Sequence, residues 1–172
     1  MTIILGIDPG SRKTGYGLVR IDQGKPVYLS SGIIRLPVDE PLGPRLGVLF
    51  ASLLEIIDQY QPEQLAIEQV FMARSADAAL KLGHARGAAM AACVFRGMAT
   101  FEYAARQIKQ AVVGTGAAHK EQVQHMVKTL LRLPGTPKED AADALAAALC
   151  HFHSRQAELR MTAGSRSRRQ PR

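Results

Sequence analysis

The period of the apolar positions changes several times along this chain, and the changes divide it into strands and helices. Thr2–Ile7 is a short, nearly continuous apolar run rich in Ile, the pattern of a buried central strand. The following segment, Asp8-Pro9-Gly10-Ser11-Arg12-Lys13-Thr14, is dense in turn formers. Gly15–Ile21 and Pro26–Leu36 then read as strands, with Gln23-Gly24 as the hairpin turn between them. Over 45–60 the spacing lengthens: positions 46, 49, 50, 53, 54 and 57 are apolar at helical intervals, and Pro62 stops the helix. Gln64–Glu68 predicts a fourth strand, Ser75–Phe95 a long helix and Thr100–Tyr103 a fifth strand. Helices are expected at Lys120–Arg132 and Pro137–His153. A three-strand meander followed by helix–strand alternation predicts an α/β fold whose mixed sheet is covered by helices. No internal repeat is visible.

Four carboxylates interrupt this pattern. Asp8 ends the run Ile3-Ile4-Leu5-Gly6-Ile7, Glu68 ends Leu65-Ala66-Ile67, and Asp140 and Asp143 lie in an Ala-rich helix. An unpaired buried charge costs several kcal/mol or more, and no Lys or Arg stands beside these acids within the apolar runs. Hard divalent cations such as Mg²⁺ are the natural partners of such oxygen ligands. Asp8 and Glu68 fall at the C-terminal ends of two central strands, the edge where open α/β sheets place their sites. Asp140 and Asp143, three apart, share one helical face and can point to that edge. Thr136-Pro137-Lys138-Glu139 matches a capping box, which puts both aspartates in the first turns and makes Glu139 the capping acid.

Composition narrows the class. A chain of 172 residues, 47% hydrophobic, suffices for one domain with a sizeable core. Cys93 and Cys150 sit in apolar helical contexts and are expected as buried free thiols, which suits a reducing cytoplasm. No signal peptide is read ahead of the first strand and no apolar run approaches a membrane span, so a cytoplasmic protein is expected. Of the net charge of +7, residues 155–172 carry six Arg and one acid, a tail of +5 that leaves +2 on residues 1–154. That tail is expected to stay unfolded and to add affinity for a polyanion. With four acids assigned to metal, the remaining body surface is more basic than +2 suggests, which favours nucleic acid as partner.

Together the blocks Ile4–Ser11, Thr14-Gly15-Tyr16-Gly17, Ala66–Phe71, Tyr103–Gln107, Gln122–Val127 and Asp140–Ala146 carry a family resemblance. In order and spacing they resemble the RuvC Holliday-junction resolvases, nucleases of the RNase H-like fold, over residues 2 to about 153. The resemblance implies a Mg²⁺-dependent endonuclease, with Mn²⁺ able to substitute, whose four metal-binding carboxylates match Asp8, Glu68, Asp140 and Asp143. It further implies a homodimer acting on four-way junction DNA in recombination and repair, together with a RuvA–RuvB branch-migration complex. In such a site two ions about 3.5–4 Å apart clamp the phosphate, one activating water and the other stabilising the departing oxygen. Asp8 would bridge them, and the products would be a 5′-phosphate and a 3′-hydroxyl. Ser11 and Thr14 then read as turn or phosphate-contacting residues.

Several DNA contacts are expected with less to carry them. Phe71 follows Glu68 and is either a core residue or, with support from the resemblance, an aromatic wedge at the crossover. Gly114-Thr115-Gly116 lacks the third glycine of a dinucleotide loop, so no nucleotide cofactor is expected. Lys120 at the following helix start could grip a phosphate, with Lys109 and Arg106 extending the patch. Arg12, Lys13 and Arg74 are further candidates that could equally be solvated charges. Cys150-His151-Phe152-His153 is too divergent on a helix to chelate zinc, and a helix-end cation role is expected instead. Ala79, Gly83, Gly87 and Ala91 form a smooth stripe, packed either on the protein's own sheet or on a second copy. Two rivals remain: an actin-like or sugar-kinase ATPase lobe, which would need a second lobe, and a non-catalytic DNA-binding subunit, which would not need four clustered acids.

Overall fold

In the computed structural model, which describes residues 1–69 and 75–167, the most apolar strand takes the middle of the sheet. β1 (Thr2–Asp8) pairs antiparallel with β2 (Lys13–Asp22) and parallel with β4 (Gln64–Glu68). β3 (Lys25–Arg35) flanks β2 antiparallel, and β5 (Ala99–Tyr103) flanks β4 in parallel, giving the order β3-β2-β1-β4-β5. The expected mixed five-stranded sheet is therefore present. Gln23 and Gly24 both have positive φ, 48° and 74°, the geometry a two-residue hairpin turn demands.

Helices cover both faces because the strand residues are apolar to both sides. Leu5, Ile7, Leu65 and Ile67 pack beneath α1 (Leu42–Tyr60) and α2 (Ala76–Phe95). Ile4, Ala66 and Tyr103 pack beneath α3 (Ala105–Val113), α4 (Lys120–Leu130) and α5 (Glu139–Ser167). Cys93 belongs to the first layer and Cys150 to the second, so the sheet separates the two buried free thiols. Among the described residues no helix is long and apolar enough to cross a membrane.

The contact that sets the geometry is that of α5 on β1 and β2. A Cβ at Gly6 would lie 1.9 Å from the Ala144 carbonyl oxygen, and one at Gly15 would lie 2.0 Å from that of Asp140. No side chain fits in those gaps. Glycine lets the helix backbone rest directly on the sheet, which brings the first turns of α5 beside the end of β1.

Several boundaries differ from expectation. α1 begins at Leu42, ahead of the expected 45, because Pro44 falls in its first turn, where a missing N–H costs nothing. α3 was not foreseen: nine residues with two buried apolar positions, Ile108 and Val112, give little periodic signal. α5 starts at Glu139, its first bond running from Ala142 N–H to the Lys138 carbonyl, so the expected capping box at Thr136 is not formed. It then runs on to Ser167, through most of the tail expected to be unfolded. Gln-Ala-Glu-Leu-Arg-Met are good helix formers, Arg155 pairs with Glu158, and Gln156 donates to the Gly24 carbonyl at 2.9 Å. His151 consequently lies mid-helix, not at a helix end. It is fully buried between the Tyr103 hydroxyl (2.6 Å) and Gln64 (2.8 Å), stacked on Phe101, and burial pushes its pKa down to about 4. It is a neutral core bridge from α5 to β4 and β5, which corrects the cationic role. His125 is exposed on α4.

Two glycines with opposite surroundings test this packing. Gly6→Ala should destabilise the protein by about 1–3 kcal/mol or more, because α5 must move. Gly47→Ala, in α1 with nothing within 4 Å of the new methyl, should stabilise by about 0.5–1 kcal/mol. Urea denaturation measures both, and a neutral Gly6→Ala would contradict the close approach.

Candidate active site

Asp8 is the last residue of β1 and Glu68 the last of β4, on neighbouring parallel strands whose final paired rung is Ile7 with Ile67. Asp8 also sits opposite Gly15, the residue against which the Asp140 backbone is packed. Asp143, one turn further along α5, lines a cleft with Glu68, Lys109, Lys120 and Ile108. The sheet edge and the start of α5 therefore bring all four expected carboxylates to the same end of the sheet, where α3 and α4 add Lys109 and Lys120.

Their proton affinities report the crowding. Burial, followed by the fields of Asp143, Glu68 and Asp140, pushes Asp8 up to about 8. Burial and then Asp143 raise Glu68, while Lys109 works the other way. Asp143 is raised by burial and then by Glu139, with Lys120 opposing. The site holds more negative charge than its own cations balance. Among the described residues no three of its carboxylates, or of any His, Cys, Asp or Glu, stand close enough together to enclose an ion. Like charges in a half-buried cleft repel, and the acids turn to whatever cation is in reach.

Two lysines from outside the apolar runs stand next to this end of the sheet. Lys13 Nζ lies 2.5 Å from Asp140 Oδ2, and Lys120 pairs with Glu139. Glu139 is thus an ion-pair partner, not a capping acid. Lys13 and Lys120 are both more than half exposed, and such pairs contribute little net stability, so either lysine can exchange its carboxylate for a phosphate at small cost. Lys109 lines the cleft itself. Arg106 lies across Gly116, where a Cβ would meet its Cγ at 2.3 Å, and Arg12 is exposed beside Lys13. Phe71 and Arg74 lie outside the described residues.

The loop after Asp8 is held from within. The buried Thr14 hydroxyl donates to the Gly10 carbonyl at 3.2 Å and accepts from the Gly10 N–H at 3.3 Å, a turn role. Arg45, which the sequence did not flag, reaches from α1 to donate to the Ser11 carbonyl. Only its place just before an apolar periodicity could have hinted at it.

The donor set suits a hard divalent cation. Among the described residues it offers four carboxylates, no thiolate and no histidine, and its lysines balance that charge only in part. The smooth stripe on α2 faces outward: a Cβ at Gly83 or Gly87 would meet nothing within 4 Å, and the neighbouring Leu80 is 64% exposed. The alternative of packing on the protein's own sheet is excluded, since α2 buries Ala85, Ala89, Ala92 and Cys93 instead.

Known proteins bear directly on this geometry. The family profile described as Crossover junction endodeoxyribonuclease RuvC matches residues 4–151. A protein of that name from Saccharophagus degradans is 58% identical over 172 residues, covering 100% of this chain and 99% of the relative. One from Sodalis glossinidius is 60% identical over 164 residues, covering 95% and 94%. The solved structure of T. thermophilus RuvC in complex with Holliday junction substrate superposes with a TM-score of 0.84 at 36% identity, over 91% of this chain and 97% of that one. The fold is accordingly the RNase H-like resolvase fold.

The crowding of Asp8 has a pH signature in metal-free protein. Its folded pKa lies above the unfolded value, so the folded state keeps a proton that the unfolded chain releases, and stability falls as pH rises from about 4 to about 8. Asp8→Asn removes that loss. In chelator its melting temperature should exceed wild type by a margin that grows with pH, at about 2–4 °C per kcal/mol. Added Mg²⁺ should raise wild type more than the variant. A pH-independent margin would mean that Asp8 is not crowded.

Proposed function

The chain belongs to the RuvC family of crossover junction endodeoxyribonucleases, and we propose that it resolves Holliday junctions by paired, symmetric nicks near the crossover. What carries the proposal is the meeting of Glu68 and Asp143 with Lys109 and Lys120 in one cleft at the strand end that bears Asp8. Acids for a metal and cations for a phosphate stand side by side there. The ATPase-lobe and non-catalytic readings are set aside with the family match.

Asp8, Glu68, Asp140 and Asp143 are the residues that would hold magnesium, or manganese in its place, as two ions that polarise the scissile phosphate and acidify the attacking water. The chain's own groups do the rest. Lys109 and Lys120 neutralise the phosphodiester as it enters the cleft, which Ile108 and Val123 also line. Water oxygen joins phosphorus as the bond to O3′ breaks, leaving a 5′-phosphate and a 3′-hydroxyl that a ligase can seal. No side chain is needed as nucleophile, and Thr14, committed to its turn, is not available as one.

A four-way junction has two-fold symmetry, and two strands need two sites. The outward-facing Gly83–Gly87 stripe supports a homodimer, because two helices can approach closely where both lack side chains. Lys13, Arg12, Arg106, Lys109 and Lys120 are proposed to track the arms, with Arg74 as a further contact and Phe71 as the wedge at the crossover. The enzyme would work in the cytoplasm, in recombination and repair, alongside a RuvA–RuvB branch-migration complex.

Asp8→Asn, Glu68→Gln, Asp140→Asn and Asp143→Asn should each abolish cleavage of a four-way junction in Mg²⁺ while leaving junction binding largely intact. Gel-shift and cleavage assays on the same substrate separate the two, and a variant that cuts near the wild-type rate removes its residue from the site. Lys109→Ala and Lys120→Ala should weaken binding and flatten the plot of log affinity against log salt by roughly one unit per lost phosphate contact. An unchanged slope would take that lysine off the DNA.

A further inference from the structure

Glu68 is delivered to the cleft at a place where the sheet is running out. The β4 ladder to β1 ends at Ile67, and the one to β5 ends on the pair Glu68–Tyr103. The Gln69 N–H still donates to the Tyr103 carbonyl at 2.9 Å, so the peptide between Glu68 and Gln69 keeps one partner from the sheet. Its carbonyl takes its partner from a helix. Arg86 of α2 donates from Nε to the Glu68 carbonyl at 3.1 Å, and its terminal nitrogen pairs with Glu102 of β5.

The direction of this clamp matters. Arg86 comes from the α1–α2 face of the sheet, whereas the Glu68 carboxylate lies in the cleft on the α3–α5 face. The guanidinium therefore never meets the reacting phosphate. It spans β4 and β5 from behind, and its side chain is only 19% exposed, with Glu102 as an anchor on the neighbouring strand. A planar fork can hold a carboxylate with one nitrogen and a carbonyl with another, which a single ammonium cannot do in the same geometry. Rotation of the 68–69 peptide would swing the carboxylate away from Asp8 and Asp143, and the bond from Arg86 Nε to the Glu68 carbonyl opposes that rotation.

We propose that Arg86 is a positioning residue for strand cleavage, acting through the Glu68 backbone to fix where its carboxylate enters the metal site. The proposal rests on Glu68 being one of the four metal-binding acids. Its position on α2 also places it next to Gly87 of the outward stripe, so a partner packed there would bear on the same helix that holds the clamp.

The test compares Arg86→Lys, Arg86→Ala, Glu102→Gln and Glu68→Gln on a four-way junction. Arg86→Lys keeps the charge opposite Glu102 but loses the fork. It should retain junction affinity and melting temperature near wild type while kcat falls about tenfold to a hundredfold, the scale of a misplaced reacting group. The manganese concentration that half-saturates the thermal shift should rise severalfold, a readout independent of cleavage. Arg86→Ala should lose more kcat, and Glu102→Gln less, because the bond to the Glu68 carbonyl survives. Wild-type kcat and manganese response in Arg86→Lys or Arg86→Ala would overturn the proposal, as would a kcat loss that merely tracks lost folded protein. If Glu68→Gln itself cleaves normally, the four-acid reading fails; if it is inactive while Arg86→Ala is not, only the role of Arg86 fails.

Discussion

The whole site depends on one steric permission, the absence of side chains on the sheet where α5 crosses it. Helices normally rest on a sheet through a layer of interdigitated side chains. Here glycines on β1 and β2 remove that layer, and the carbonyls of Ala144 and Asp140 occupy the space where their Cβ atoms would be. Asp140 and Asp143 are thereby lowered to the level of Asp8 and Glu68. Any larger residue would lift the start of α5 away and open the cleft.

Once assembled, the cluster is electrostatically incomplete. Burial and mutual repulsion drive Asp8, Glu68 and Asp143 toward protonation, and the lysines that answer are mostly at the rim. A fold optimised for stability alone would place apolar groups there. The strain is consistent with a site whose charge balance is completed by something bound, and it explains why Lys13 and Lys120 are both ion-pair partners and proposed phosphate contacts. On that proposal the same side chains would serve two anions in turn.

Much of this was legible in the residues because strand ends and helix faces are periodic features. Asp8 and Glu68 announced themselves as charges closing apolar runs, and Asp140 and Asp143 as acids three apart in an Ala-rich helix. Strand boundaries fell within a residue or two. What escaped were contacts between distant elements. Arg45 and Arg86 look like ordinary surface arginines in their helices, and only the tertiary fold sets one against Ser11 and the other against Glu68. Similarly, His151 reads as one of several histidines near a chain end, until α5 continues past it and Tyr103 and Gln64 close around it. The glycines at 6 and 15 stand in blocks that carry the family resemblance, but their steric role depends on the helix above them.

The central claim is that the sheet edge and α5 form a single metal-binding site from four acids. Anomalous scattering from Mn²⁺ in a crystal of the protein with a slowly cleaved junction measures this directly. The account predicts manganese peaks within about 2–2.3 Å of carboxylate oxygens from Asp8, Glu68, Asp140 and Asp143, with Lys13 drawn off Asp140. Manganese bound elsewhere, or bound at Asp8 with Asp140 and Asp143 left outside its reach, would contradict it.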